Sequence, residues 1–194
     1  MNIYPLFWKN ASSKRKRIYS AILVFVIAVL LTVFGTLVPL SPQDAKQISD
    51  STNQTIAEGT ANGTLAVSIF VNNFSLCLLM FIPVVGAAIG LFIMFSTGVA
   101  IGAIISVQST AGTSATVANI DPTTAILVLV FAGLTFLLEY VSYSIGISES
   151  IWLFRRLTQR RWRELKNTAI LVGICALLLG IGAIVETWAI SLPI

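Results

Sequence analysis

The sequence has no histidine, only two cysteines and few charged side chains, since Lys, Arg, Asp and Glu together make up 10% of its 194 residues. Without histidine there is no Ser-His or Cys-His nucleophile and no H-E-x-x-H metal motif. Cys77 and Cys175 each lie within an apolar segment and lack metal-site spacing, so we expect buried free thiols. The sequence therefore predicts neither an enzyme nor a bound metal or cofactor.

The longest uncharged stretch runs from Gly59 to Ile120, which is 62 residues. The whole chain is 56% hydrophobic and has a mean hydropathy of +0.90. A charged side chain at the centre of a bilayer costs at least about 2.5–3.5 kcal/mol, so lipid excludes charge over such lengths. This pattern predicts an all-α integral membrane helix bundle that crosses the cell membrane several times.

Five apolar segments predict five transmembrane helices. They are Ile18–Leu40, Leu65–Ile82, Val85–Val107, Pro122–Arg155 and Thr168–Ile190. Pro83 and Gly86 supply a turn between the second and third segments. An alternative makes the second segment re-entrant, which would place the basic segment 155–166 outside, against the positive-inside rule. The fourth segment would be about 50 Å long as a helix, so we expect it to project into the cytoplasm or to break near Gly146.

Eleven of the twelve Lys and Arg residues lie in two basic patches, Lys9–Arg17 and Arg155–Lys166. Because cytoplasmic loops are enriched in basic residues, we expect both patches inside the cell, with residues 1–17 as a cytoplasmic N-terminus. We also expect Lys14–Arg17 and Arg155–Lys166 to contact anionic lipid head groups rather than nucleic acid.

The same topology places two polar segments, 41–64 and 108–121, in loops outside the cell, and the C-terminus outside as well. Residues 18–194 then form a single transmembrane domain. Asn53 and Asn62 each begin an N-x-[ST] sequon in the first of these loops, the acceptor pattern for N-glycosylation.

Several polar side chains lie within the apolar segments. Glu139 is about 17 residues, roughly 25 Å, from the start of the fourth helix, and an ionisable residue at that depth is a functional candidate. The candidate intramembrane polar site consists of Asn72, Asn73, Glu139, Ser142, Tyr143 and Glu149. Hydrogen bonding between helices and the lining of a polar cavity both remain open as its role. We expect Glu149 to pair with Arg155 or Arg156, and Glu186 to reach the membrane interface.

The third predicted helix carries two small-xxx-small motifs, Gly86-x-x-x-Gly90 and Gly98-x-x-x-Gly102. Such glycines lie in one groove and let helix backbones approach closely. Packing within this chain is the favoured interpretation, and homo-oligomerisation is the alternative.

The stretch Ile69-Phe70-Val71-Asn72-Asn73, followed by the apolar run into the glycine pattern, resembles the stage II sporulation protein M family of bacterial and archaeal membrane proteins. Glu139-Tyr140-Val141-Ser142-Tyr143-Ser144 matches a family glutamate that opens a small-residue helix. The resemblance covers roughly Ile69 to Trp152. Many members have Pro-His-Gly just before the glutamate, where this chain has Leu134-Thr135-Phe136, so no role of that histidine is carried over.

The family namesake acts with cell-wall-degrading partners as the membrane component of a complex. The resemblance therefore implies a non-catalytic integral membrane subunit or scaffold, which docks onto other membrane proteins or onto itself as an oligomer. The sequons and charge pattern fit an archaeal member. The alternative function is a small oligomeric transporter or channel that uses a polar site around Asn72, Asn73 and Glu139.

Overall fold

A computed structural model describes residues 12–110, 122–160, 162 and 164–191. Within these ranges the chain forms six helices and no strand. They are α1 (Ser13–Thr36), α2 (Pro42–Ala61), α3 (Leu65–Met80), α4 (Val85–Thr110), α5 (Pro122–Thr158) and α6 (Glu164–Ile190). The predicted all-helical membrane class is confirmed, because α1, α4, α5 and α6 are long and apolar enough to cross a membrane.

Helix α3 is apolar but has only 16 residues, so a fifth crossing stays a prediction. Most of the predicted loop 108–121 lies outside the described residues, as do residues 1–11.

Helix α2 corrects the expectation that segment 41–64 is a loop. Ser41 is the N-cap, and its Oγ accepts a hydrogen bond from the backbone N–H of Asp44 at 3.1 Å. Pro42 occupies the first turn, where its missing N–H costs nothing. Gly63 adopts φ +66° just beyond the C-terminus, a conformation that favours glycine. Four charged side chains make α2 too polar to span a bilayer.

Helix α2 lies across one end of the bundle, which we call the polar-helix end. Ala45, near the start of α2, borders the same cavity as Val107 of α4. Gly59, near the end of α2, borders the same cavity as Thr187 of α6. The helix thus extends from the C-terminal end of α4 to the C-terminal end of α6.

The two basic patches meet at the other end of the bundle, which we call the basic end. Arg17, in the second turn of α1, lies 2.6 Å from a carboxylate oxygen of Glu164 in the first turn of α6. The C-terminal end of α5 lies beside them, since Trp152 contacts Ser20 of α1. The described residues of the two patches therefore lie at one end of the bundle, and their cytoplasmic location stays a prediction.

Helix α5 runs unbroken through the centre of the bundle for 37 residues, about 55 Å. Of the two predicted alternatives, a break near Gly146 does not occur, which leaves a helix that projects beyond the apolar layer. Gly146 instead marks a close approach to α3, because a Cβ atom there would lie 3.1 Å from Met80 Cβ. Met80 and Ile147 belong to a core of fully buried side chains around this contact.

Helix α3 extends along α5 and α6 between the two ends. Its first residue, Leu65, borders a cavity with Thr187 at the polar-helix end. Beyond its last turn, the carbonyl of Ile82 accepts a hydrogen bond from Ser150 Oγ at 2.6 Å, close to the basic end. Helix α3 and the turn that follows therefore cover most of the depth that α6 covers.

The motif glycines lie against other elements of this same chain. A Cβ atom on Gly86 would lie 2.7 Å from the carbonyl carbon of Met80, beneath the α3–α4 turn, and one on Gly90 would lie 2.7 Å from Ile147 Cδ1 of α5. Gly98 and Gly102 face α1 instead. The four glycines thus serve three different contacts rather than one groove.

Candidate functional site

Three residues of the predicted polar site form one hydrogen-bonded chain. Asn73 Nδ2 on α3 donates to Glu139 Oε1 on α5, which joins the two helices. Asn72 Nδ2 donates to Asn73 Oδ1 at 3.2 Å and is itself exposed. An amide and a carboxyl that bond each other across helices are the arrangement expected of interhelical hydrogen bonding.

Ser142 and Tyr143 of α5 lie in the packed interior of the bundle. The hydroxyl of Ser142 donates to the carbonyl of Leu138 at 2.8 Å, within its own helix. The Ser142 carbonyl lies 3.8 Å from Cys77 Sγ and 3.6 Å from Cys175 Sγ. Both cysteines are buried and free, as the sequence predicts. These contacts around Ser142 hold α3, α5 and α6 together.

Glu149 belongs to a separate cluster at the basic end. Its side chain is almost fully buried, accepts a hydrogen bond from Thr168 Oγ1 at 2.9 Å and lies 3.6 Å from Arg17 Nη2. Arg17 also pairs with Glu164. The sequence predicts Arg155 or Arg156 as the partner of Glu149. It does not predict Arg17, because Arg17 is distant in sequence and lies on another helix.

Further polar contacts surround Arg17. Ser20 Oγ accepts hydrogen bonds from Ser148 Oγ at 2.9 Å and from Trp152 Nε1 at 2.8 Å. The guanidinium carbons of Arg17 and Arg156 lie 6.0 Å and 5.6 Å from the centroid of the Trp152 ring. This network joins α1 and α5 where both helices leave the apolar layer.

A cavity of about 370 Å³ lies between α4, α5 and α6, in the half of the bundle nearer the polar-helix end. Glu139 and Thr135 of α5 and Glu186 of α6 supply polar groups to its otherwise largely apolar wall. We call this cavity the acidic cleft. Thr135 is 7% exposed, and its hydroxyl has no hydrogen-bond partner among the residues that the structure describes.

Two aromatic rings form another part of the wall of the cleft. Phe136 stacks on Tyr140, with ring centroids 3.8 Å apart. The hydroxyl of Tyr140 lies 2.6 Å from Thr32 Oγ1 on α1, which fixes the ring in the bundle. The cleft therefore combines carboxyl groups, an unpaired hydroxyl and aromatic surface.

Sequence reasoning missed Glu186 and Thr135 as members of the same site as Glu139. Glu186 was assigned to the interface because it lies near the end of the last apolar segment. The sequence feature that indicates Glu186 as a site residue is that it is a second carboxylate within an apolar segment. Its proximity to Glu139 depends on how α5 and α6 are aligned, which one sequence does not contain.

The apolar helices, the polar side chains bonded between them and the basic residues gathered at one end define a multi-span helical membrane protein. The family model described as Stage II sporulation protein M matches residues 21–189, and the chain belongs to this family. The match confirms the resemblance and extends beyond the segment that carried it. No curated protein and no solved structure matches the chain.

Proposed function

We propose that this protein is a non-catalytic integral membrane subunit that docks onto other membrane proteins in a larger complex. Membership of the stage II sporulation protein M family supports an accessory role in the membrane. The bonding between Asn73 and Glu139 supports it further, because it uses two candidate transport residues to join α3 to α5.

The packing between Glu139 and Glu149 carries most weight in this proposal. Along α5, Ile147 lies between these two carboxyl groups, and Met80 of α3 packs at the same level. Both side chains are at most 1% exposed. Close packing of buried side chains between the two polar regions favours a rigid body over a conduction path.

We further propose that the basic end faces the cytoplasm and that α2 lies outside the cell. The meeting of Arg17 with the start of α6 supports this orientation, because the positive-inside rule then applies to both basic patches together. The extent of α3 along α6 supports five crossings. A partner can then reach the protein from either side of the membrane or within it.

Copurification in mild detergent tests the docking proposal. The protein is solubilised from its native membrane, and the stoichiometry of bound proteins is measured by quantitative mass spectrometry. We expect at least one membrane protein at a fixed ratio that survives dilution. Recovery of this chain alone, from membranes in which it is intact, would refute docking.

A small oligomeric transporter is the second candidate, favoured by the acidic cleft that reaches Glu139. The substitution Glu139→Gln separates the two functions. A transport mechanism requires the charge, so the variant should fold but lose ion-dependent flux in liposomes. A subunit that does not transport should keep its fold, and neither the wild-type protein nor the variant should carry ion-dependent flux in liposomes.

A further inference from the structure

The acidic cleft has the features of a binding site rather than of a packing defect. We propose that it receives a lysine or arginine side chain from a transmembrane helix of a different membrane protein. This inference rests on the proposed docking function and assigns a position and a chemistry to it. Glu139, Glu186 and Thr135 are the residues that would bind the cationic group.

Charge is the first argument. Glu139 accepts a hydrogen bond from an uncharged amide, and Glu186 has no hydrogen bond or ion pair within the described part of the chain. No Lys or Arg among the described residues lines the cleft. Carboxyl groups at membrane depth are expensive and usually face a cation or water. A cation from outside this chain therefore complements the cleft.

The unpaired hydroxyl of Thr135 is an independent sign of a missing partner. Thr135 lies one helical turn from Glu139 on α5, and its hydroxyl is buried with no partner in the described part of the chain. Buried polar groups are nearly always hydrogen-bonded, so an unpaired one at a cleft marks a place for a ligand group. Ammonium and guanidinium groups donate three and five hydrogens, enough for both carboxyl groups and the hydroxyl.

The rest of the cleft suits the stem of a long basic side chain. Its walls are largely apolar, and lysine and arginine carry apolar stems beneath their charged groups. The stacked rings of Phe136 and Tyr140 add aromatic surface, over which a guanidinium group is favoured. A small inorganic cation would use the oxygen atoms but would leave the apolar volume unfilled.

The distribution of basic residues argues against a second copy of this chain as the occupant. Eleven of the twelve Lys and Arg residues lie in the two basic patches, and the remaining one, Lys46, lies on α2 across the end of the bundle. In a second copy in the same orientation, the basic side chain at this end is Lys46, which is carried by the polar helix α2 rather than by a transmembrane helix. The occupant is therefore a different protein.

The outer surface of α5 beside the cleft leaves room for a partner helix. Ile126 and Leu129 are 62% and 74% exposed, and among the described residues no atom of another element lies within 4 Å of a Cβ atom built on Gly133. A transmembrane helix that packs on this surface could insert one side chain between α4 and α6. Lipid covers the same surface when the partner is absent.

Site-specific photocrosslinking in native membranes tests the proposal. A benzophenone amino acid at Ile101, on the α4 side of the cleft, should crosslink to an apolar segment that contains a lysine or arginine, identified by mass spectrometry. The same group at Leu177, which is 69% exposed and outside the cleft, should not capture that segment. Glu186→Gln should reduce the Ile101 crosslink by about tenfold or more.

Matched variants separate loss of the site from loss of the fold. Glu58→Gln removes the same charge from the exposed face of α2 and should leave the crosslink unchanged. Glu186→Gln should retain the wild-type unfolding temperature, because Glu186 has no hydrogen bond or ion pair in the described structure. If that variant fails to fold, Thr135→Val takes its place and should reduce the crosslink by at least threefold. Glu186→Lys should be rescued by a partner whose basic residue is changed to glutamate.

Three results would overturn the proposal: a crosslinked segment without a basic residue, crosslinking only to lipid or to a second copy, or a crosslink that Glu186→Gln leaves unchanged. In any of these cases, a partner that still copurifies at fixed stoichiometry keeps the docking function and moves it to another surface. Absence of any stoichiometric partner of the wild-type protein would instead refute the proposed function itself.

Discussion

Replacing Gly98 by alanine should push α1 and α4 apart. A Cβ atom at this position would overlap the carbonyl oxygen of Thr32 and lie 2.8 Å and 2.9 Å from its carbonyl carbon and Cα. These are backbone atoms, so no side-chain rotation relieves the overlap. The helix axes must separate locally, although the substitution adds only one methyl group.

The magnitude follows from the contacts around Thr32. Its hydroxyl lies 2.6 Å from the Tyr140 hydroxyl and 3.0 Å from the carbonyl oxygen of Met94. Overpacking costs about 1–3 kcal/mol. Loss of one of these hydrogen bonds adds about 0.5–1.5 kcal/mol. The higher helix propensity of alanine offsets about 1 kcal/mol. We therefore expect Gly98→Ala to lower the free energy of unfolding by about 1–3 kcal/mol.

Gly133→Ala is the matched control, because it is the same substitution inside a helix, and no atom of another described element lies within 4 Å of the added group. It should leave stability unchanged or raise it by up to about 1 kcal/mol. Unfolding of both variants in mixed micelles, titrated with dodecyl sulfate and followed by tryptophan fluorescence, measures the difference. If Gly98→Ala is as stable as Gly133→Ala, the close contact of α1 with α4 is incorrect.

Three further predictions follow. Single cysteines at Ser51 and Thr158, each in a background without native cysteines, test the topology with an impermeant maleimide in intact cells. Only the cysteine at Ser51 should be labelled. Labelling at Thr158 from outside would contradict the topology. Arg17→Gln should lower the free energy of unfolding by about 2–4 kcal/mol, because it removes the cation beside the buried Glu149 carboxylate. The exposed control Lys14→Gln should change the free energy of unfolding by less than about 0.5 kcal/mol. Equal effects of the two substitutions would refute the ion-pair cluster. Glu139→Gln should unfold at the wild-type temperature. Glu139→Ala should lower the free energy of unfolding by about 1–3 kcal/mol, because it leaves the Asn73 amide without its partner. Equal stability of the two variants would contradict interhelical bonding.

Hydropathy predicted the apolar helices because their length and composition are set by the thickness of the bilayer. Hydropathy does not predict helix α2, because it detects only long apolar segments. A helix that lies across the end of the bundle needs no such segment. Its local signals were present: Ser41 is an N-cap, Pro42 follows it, and Asp44 stands three residues after the cap. These capping residues together predict the start of helix α2.

The candidate site was predictable only as a set of residues. Glu139 was visible as an ionisable group in an apolar span, but its bond to Asn73 depends on the alignment of α3 with α5. The glycine motifs show the same limit. Gly98 was visible as part of a motif, whereas Gly35, which approaches α4 from α1, has no pattern of its own. Contacts between helices are decided by side-chain shape at particular depths, which spacing along one helix does not encode.

The contact between Arg17 and Glu164 has a consequence for how the protein is made. The two residues are 147 positions apart in the chain. At about 5–20 residues per second, a ribosome finishes Glu164 roughly 7–30 s after Arg17. During that interval the start of α1 lacks its nearest carboxylate, so lipid phosphates or water must solvate the guanidinium. Helix α1 therefore reaches its final contacts only after α6 begins, and a nascent chain stopped before Glu164 would hold an inserted but unclosed bundle.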